Sequence, residues 1–453
     1  VAGLNAMSFS IEEFFPLLMF PVLFIGILSG FPVAFVLSGV GLLFGLLGHF
    51  WLDIFSLSDF GFISSKIFGV IENVTLIAVP LFIFMGITLE YSQIAEELLE
   101  TMERLFSRLK GGLLYGIVLV GALLAASTGI VGATVVTMGA LSLPVLLKRG
   151  YHPSLAAGTI CAAGTLGQII PPSIVLILLA DMMNIGVADL FAAAIIPGML
   201  LILLYILYIG FILKKRPELV CDTGHSEREP IRVTTVLHLL LPPLLLISLV
   251  LGSILFGIAS PTEAAGCGAA GAIALATLRK KLSFELIKKV SARTTHLTAM
   301  VFTLLFGAQV FGVVFRGMYG DDILIESLSA LEGHDFILFW AIMVFFFVLG
   351  FFLDFLEICF IFIPIISPIL TEHLGMPPIW VAILIAINLQ TSFLTPPFGF
   401  SLFYLRGVAP EQVRTIDIYR GIIPFVLLQI IAIILVYCLP QLALWLPSIL
   451  WSS

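Results

Sequence analysis

Long uncharged runs separated by short polar segments set the rhythm of this chain. Residues 14–48 are 35 consecutive positions without Asp, Glu, Lys or Arg, too many for one crossing of a hydrocarbon core, which takes about 20 residues over about 30 Å. Ser29-Gly30-Phe31-Pro32 supplies a turn in the middle, so two spans are predicted, and a third at 67–89. From 93 to 110 the pattern changes. Ile94, Leu98, Met102, Leu105 and Leu109 recur at helical spacing among Glu96, Glu97, Glu100, Glu103, Arg104 and Arg108, which predicts an amphipathic helix lying at the membrane interface. Residues 111–147 are uncharged again, but their centre is Ser127-Thr128-Gly129-Ile130-Val131-Gly132. Small and polar, it reads as the tip of a helical hairpin that enters the membrane and returns; two ordinary spans joined by a short loop are the alternative.

The next apolar run is interrupted by Gly164-Thr165-Leu166-Gly167-Gln168-Ile169-Ile170-Pro171-Pro172-Ser173. Two glycines, two prolines and three polar side chains predict a helix broken inside the bilayer, over 153–184. A span at 190–213 closes the first half, and 214–232 is a hydrophilic, cytoplasmic linker. The second half repeats the plan: spans near 237–258, 261–278 and 295–314, an interfacial segment at 321–332, a hairpin at 336–370 centred on Leu353-Asp354-Phe355-Leu356-Glu357, a broken helix at 378–407, and a last span at 422–446. Pro396-Pro397 follows Pro171-Pro172 by 225 residues, and Gly375 and Pro378 follow Gly150 and Pro153 by the same 225. Matched landmarks at one offset argue for an internal repeat, 1–213 and 233–453. Five crossings per half invert the second copy.

Composition fits this reading: 60% of residues are hydrophobic and 11% charged, against roughly 25% charged in a soluble domain. With the N-terminus outside, 19 of the 21 Lys and Arg residues fall on the cytoplasmic side and only Lys66 and Arg316 outside, the bias that the positive-inside rule requires. Five scattered cysteines without metal-ligand spacing read as reduced packing residues. The fold class expected is an all-α polytopic membrane protein, an inverted repeat with two re-entrant hairpins and two broken helices.

Broken backbone at membrane depth is tolerated only where it is buried in protein or lines a cavity, and in inverted-repeat carriers such breaks form the ion and substrate sites. Unwound carbonyls suit a hard cation such as sodium; half-helix N-termini favour an anion. Asp354 and Glu357 are the only charges between 336 and 371, and a carboxylate at that depth calls for a cation, a proton or a shallow, hydrated tip. Thr165 and Gln168 beside the first break, and Asn388, Gln390, Thr391, Ser392 and Thr395 beside the second, offer side-chain oxygens. Their other role is to glue helices together. Glu263 in Pro261-Thr262-Glu263 reads as a helix cap. No Lys or Arg occurs in 111–147, 151–213 or 336–405, so an anion held there meets sodium, helix ends and hydroxyls rather than a basic side chain.

Together, AAGTLGQIIPPS at 162–173, ASPTEAAG at 259–266 and NLQTSFLTPPFGFSLFYLRGVAP at 388–410 resemble the large membrane subunit of tripartite ATP-independent periplasmic (TRAP) transporters, along essentially the whole chain. The resemblance implies an elevator-type ion-transporter fold in the bacterial inner membrane, with a periplasmic N-terminus. It implies sodium-coupled uptake of a small organic anion, carboxylate or sulfonate, delivered by a periplasmic binding protein. A small four-helix membrane subunit, expected as a separate chain, would buttress the scaffold. No cofactor beyond sodium and no nucleic acid are expected. The implied sodium ligands are Ser127, Gly167, Ile170 and Pro172 in one site and Asp354, Ser392, Thr395 and Pro397 in the other. Thr128, Thr165, Gln168, Asn388, Gln390 and Thr391 are the candidate substrate contacts. A binding-protein-independent sodium/carboxylate symporter is the alternative, and an intramembrane enzyme a remote one.

Overall fold

A computed structural model of the protein describes residues 14–92, 97–98, 101–102, 105, 111–128, 131–220, 233–329, 334–396 and 399–451. The predicted interfacial helix 93–110 therefore lies largely outside the described residues. In the first half the helices are α1 (Met19–Leu28), α2 (Val33–Phe50), α3 (Gly61–Glu72), α4 (Val74–Tyr91), α5 (Gly112–Thr128), α6 (Val131–Lys148), α7 (Pro153–Thr165), α8 (Ile174–Met182) and α9 (Val187–Lys215). The second half contains α10 (Val233–Leu255), α11 (Pro261–Leu278), α12 (Phe284–Gly317), α13 (Gly320–Ser329), α14 (Asp335–Leu349), α15 (Phe355–Ile361), α16 (Ile363–Pro368), α17 (Pro378–Leu394), α18 (Phe400–Val408), α19 (Thr415–Cys438) and α20 (Gln441–Leu450). Among the described residues, α2, α4, α6, α9, α12 and α19 are long and apolar enough to cross a membrane, with mean hydropathy from 1.6 to 2.6. The protein is an all-helical polytopic membrane protein.

Helix starts recur at nearly constant spacing: α6 and α15, α7 and α17, and α8 and α18 begin 224, 225 and 226 residues apart. Two compact units result, and they do not coincide with the halves. One gathers the described parts of Val1–Asn73, Ala299–Ile342 and Leu356–Gly375; the other gathers Val74–Thr298, Met343–Phe355 and Met376–Ser453.

Inside the first unit α2 lies against α12 with small residues at the contact. A Cβ on Gly41 would stand 3.1 Å from the Phe311 Cα, and one on Gly307 would run into the Ala34 carbonyl. Phe20 packs its ring on Phe311, Phe315 and Phe362. A cavity of about 600 Å³ in this unit is lined by His49, Asp53, Asp59 and Tyr319 among others, and holds none of the predicted site residues. In the second unit α11 packs on α4, and a Cβ on Gly268 would stand 2.7 Å from the Met85 Sδ. The run AAGCGAAGAI thus serves close helix packing, as a small-residue face in a membrane does. Glu263 is a cap: its backbone N–H donates to Ser260 Oγ (3.3 Å) and its carboxylate accepts from Ser260 N–H (2.8 Å).

Prolines explain several boundaries that the hydrophobic pattern misplaced. Pro440 cannot donate to the Val436 carbonyl, so α19 ends at Cys438 and a separate helix, α20, follows; the expected span 422–446 is two helices. Trp380 Nε1 donates to the carbonyl left behind (2.9 Å). The expected span 67–89 is also two helices, because Asn73 is extended (φ −69°, ψ 105°) between α3 and α4. At the matching place in the second half, Thr298 continues within α12. In the second hairpin the non-helical stretch is 350–354, so Glu357 sits within α15 rather than at the centre of the tip. The returning arm bends by 49° between α15 and α16, where Pro364 cannot donate to Phe360.

Within α10, Pro243 likewise leaves the Leu239 carbonyl without its helical donor. Arg279 Nη2 reaches it at 3.1 Å, while Nη1 of the same guanidinium pairs with Glu97. One side chain thus ties α10, the end of α11 and the segment containing Glu97. Leu98 and Met102 of that segment are buried, as the apolar stripe predicts. Arg279→Gln should lower the thermal stability of the purified protein by about 1 to 3 kcal/mol, the cost of leaving the Leu239 carbonyl without a donor. An unchanged Tm would mean that water or lipid headgroups replace the guanidinium.

Candidate functional site

Buried on every face, α7 and α17 are enclosed along most of their length, from Leu155 to Thr165 and from Val381 to Leu394, which marks core helices. Each lies in the second unit, and each ends at a break. α7 contacts α5, α6, α17, α18 and α19. The arms α5 and α6 are 17 and 18 residues long, about 26 Å at 1.5 Å per residue.

The first break follows from its sequence. A 3-10 turn, Leu166–Gln168, succeeds α7, and the N–H groups of Ile169 and Ile170 both donate to the Leu166 carbonyl. Pro171 and Pro172 have no N–H for Gly167 and Gln168. Ser173 Oγ donates to the Gln168 carbonyl (2.9 Å). Among the described residues no hydrogen bond reaches the carbonyls of Gly167, Ile170 or Pro172. Regular bonding resumes with Ile177 N–H on the Ser173 carbonyl, within α8.

At the second break Thr395 is extended and closes α17. Gly399 opens α18 against it: a Cβ at Gly399 would lie 2.7 Å from the Phe393 carbonyl and 3.0 Å from the Thr395 backbone, so the turn has room only for glycine. Thr391, Ser392 and Thr395 donate their hydroxyls to carbonyls of their own helix at Ile387, Leu389 and Thr391, over 2.7 to 2.8 Å. With the proton committed in this way, each oxygen presents lone pairs, which suits a cation better than an anion. Asn388 Nδ2 donates to the Met343 carbonyl (2.7 Å), tying α17 to α14.

The two breaks meet through side chains. Gln390 Nε2 donates to Thr165 Oγ1 at 3.4 Å, a bond between positions 225 residues apart. Cys161 and Ser401 exchange bonds between α7 and α18, each donating to the other's carbonyl. Gln168 and Gln390 are completely buried, yet among the described residues Nε2 and Oε1 of Gln168 and Oε1 of Gln390 have no partner. A buried amide without a partner costs about 1 to 3 kcal/mol, and buried polar groups of this kind are normally satisfied by protein, water or ligand.

Asp354 stands immediately before α15, half-buried, and its Oδ1 accepts from Phe355 N–H (2.6 Å). Ser127 and Thr128 end α5, but their side chains lie outside the described residues, as does Pro397. Gly350, which the sequence reading passed over, clears space for a predicted ligand: a Cβ there would collide with Ser392 Oγ. Its only sequence signal is a lone glycine between Leu349 and Phe351 at the end of an apolar run.

Residues 20–442 match the family described as tripartite ATP-independent periplasmic transporter, DctM component. The chain belongs to that family. The C4-dicarboxylate TRAP transporter large permease protein DctM of Pseudomonas aeruginosa is 29% identical over 412 residues, which cover 90% of this chain and 94% of that protein. The sialic acid TRAP transporter large permease protein SiaM of Vibrio cholerae is 27% identical, over 93% of this chain and 96% of its own. Among solved structures, the Alcanivorax borkumensis YdaH transporter, with its unusual topology, shares the fold at a TM-score of 0.60 and 14% identity, covering 86% of this chain and 88% of that one. In this TRAP large subunit, the motifs that pointed to the family are the segments forming the two breaks and the cap at Glu263.

Proposed function

We propose that this TRAP subunit carries a small organic anion, carboxylate or sulfonate, into the cell together with sodium, by an elevator motion. A periplasmic binding protein delivers the anion, and a small four-helix membrane subunit buttresses the scaffold. The chain sits in the inner membrane with its N-terminus in the periplasm, and the second half is inverted relative to the first.

One observation carries most weight. At the meeting of α7 and α17, the carbonyls of Gly167, Ile170 and Pro172, the buried amide of Gln168 and Oε1 of Gln390 are left without partners among the described residues. Such a concentration of uncommitted polar groups inside a hydrophobic core fits guests that are not protein. The carbonyls and Ser127 would ligate one sodium ion; Asp354, Ser392, Thr395 and Pro397 would serve the other. Thr128, Thr165, Gln168, Asn388, Gln390 and Thr391 would face the substrate. The N-termini of α8 and α18, each following a break, add roughly 0.3 to 1 kcal/mol apiece toward an anion, up to about 2 when partly buried. Anion affinity at the membrane site is therefore weak, and selectivity rests largely with the binding protein. The substrates named for relatives, C4-dicarboxylates, sialic acid and isethionate, support a carboxylate or sulfonate.

The test is uptake into proteoliposomes holding the two membrane subunits, with succinate, pyruvate, sialic acid and isethionate as probes. One of them should enter under an inward sodium gradient only when the binding protein is present. Full uptake without it would favour the binding-protein-independent symporter.

A further inference from the structure

Tyr404 falls within the motif at 388–410 but is not among the residues given a role above. It lies in the second turn of α18, just past the second break, and its side chain keeps 39% of its exposure while the residues around Gln168 and Gln390 keep none. Its ring rests on Gly132, near the start of α6. A Cβ there would stand 2.9 Å from Tyr404 Cζ, 3.0 Å from Cε2 and 3.2 Å from Cε1, so the hydroxyl end of the ring occupies the space that a side chain at 132 would fill. Tyr404 therefore packs α18 against the start of α6.

Tyr404 also offers a free donor proton, which the hydroxyls beside the second break do not. The hydroxyl protons of Thr391, Ser392 and Thr395 are committed to backbone carbonyls. Arg406, the nearest basic residue on α18, donates Nη1 to the Val413 carbonyl. Among the described residues the Tyr404 hydroxyl makes no hydrogen bond, and a phenol retains its proton at neutral pH. We propose that Tyr404 is a further substrate contact: its hydroxyl donates to a carboxylate or sulfonate oxygen of the anion, and its ring is held in place against Gly132. This rests on the transport reading above, and it assigns the donor that the absence of Lys and Arg leaves open.

The experiment measures Kd in the purified two-subunit membrane complex from the shift in Tm, for succinate, pyruvate, sialic acid, isethionate and sodium separately. Tyr404→Phe keeps the ring on Gly132 and removes only the hydroxyl. Anion Kd should rise about tenfold or more, the loss of a hydrogen bond to a charged group, while sodium Kd and the unliganded Tm stay put. Gly132→Ala, which displaces the ring, should weaken the anion in the same direction. An unchanged anion Kd in Tyr404→Phe would overturn the assignment and leave the transport reading intact. A weakened sodium Kd with an unchanged anion Kd would overturn it too, placing the phenol in the ion site. A wild type that binds sodium but none of the four anions would sink both.

Discussion

Gly421→Val is expected to prevent recovery of folded protein, and Gly158→Val to do the same. These two glycines face each other where α7 crosses α19. A Cβ on Gly158 would run into the Gly421 carbonyl, and one on Gly421 into the Ser154 carbonyl. The obstacle in each case is backbone, which cannot swing aside as a side chain end can. Relief requires prising apart α7 and α19, and α7 also holds α5, α6 and α17 in place. Ordinary overpacking costs about 1 to 3 kcal/mol; separating two core helices exceeds that, and losses above about 4 kcal/mol are in the range that unfolds a protein outright. Gly39→Val is the control, because nothing lies within 4 Å of a Cβ at that position. Size-exclusion profiles of the detergent-solubilised variants decide the matter. A monodisperse Gly421→Val at wild-type yield would mean that the α7 and α19 contact is not made in the membrane.

Asp354→Asn should weaken sodium coupling about ten- to a hundredfold while leaving the fold in place, on the scale of 1.5 to 3 kcal/mol for an interaction with a charged group. Asn retains an Oδ1 to accept from Phe355 N–H, so the backbone bond at the start of α15 survives. What disappears is the formal charge. In a segment without Lys or Arg from 336 to 405, that charge has a cation as its natural counterpart. The half-saturating sodium concentration for uptake should rise, with a melting temperature close to wild type. Wild-type sodium dependence in Asp354→Asn would make the carboxylate a hydrated tip residue and leave the second ion site without its anionic ligand.

The breaks were legible because proline and glycine act locally. Pro171-Pro172 removes donors whatever surrounds it, and the sequence placed the interruption where the 3-10 turn and the uncommitted carbonyls occur. The cap at Ser260 and Glu263 was readable for the same reason. Misplaced boundaries arose where one residue overrides an apolar pattern: Asn73 splits a run that looks like one span, Pro440 divides the last helix, and Pro364 bends the second hairpin. Hydropathy averages over such positions. Tertiary relations were beyond the sequence. Neither the collision of Gly158 with Gly421, nor the ring of Tyr404 on Gly132, nor the bond from Gln390 to Thr165 leaves a local trace, since each depends on residues more than 200 positions apart. A glycine needed for close approach looks in sequence like a glycine that is merely tolerated, as Gly39 and Gly158 illustrate. The sodium residues on the first tip, Ser127 and its neighbours, still rest on the family resemblance.

The most direct measurement is the initial rate of anion uptake into proteoliposomes with the binding protein present, comparing external sodium with external choline at equal membrane potential. Coupling through the two breaks predicts uptake with sodium and background rates with choline, whatever proton gradient is imposed. Equal uptake in choline, driven by a proton gradient alone, would contradict the claim that the uncommitted carbonyls and Asp354 hold sodium.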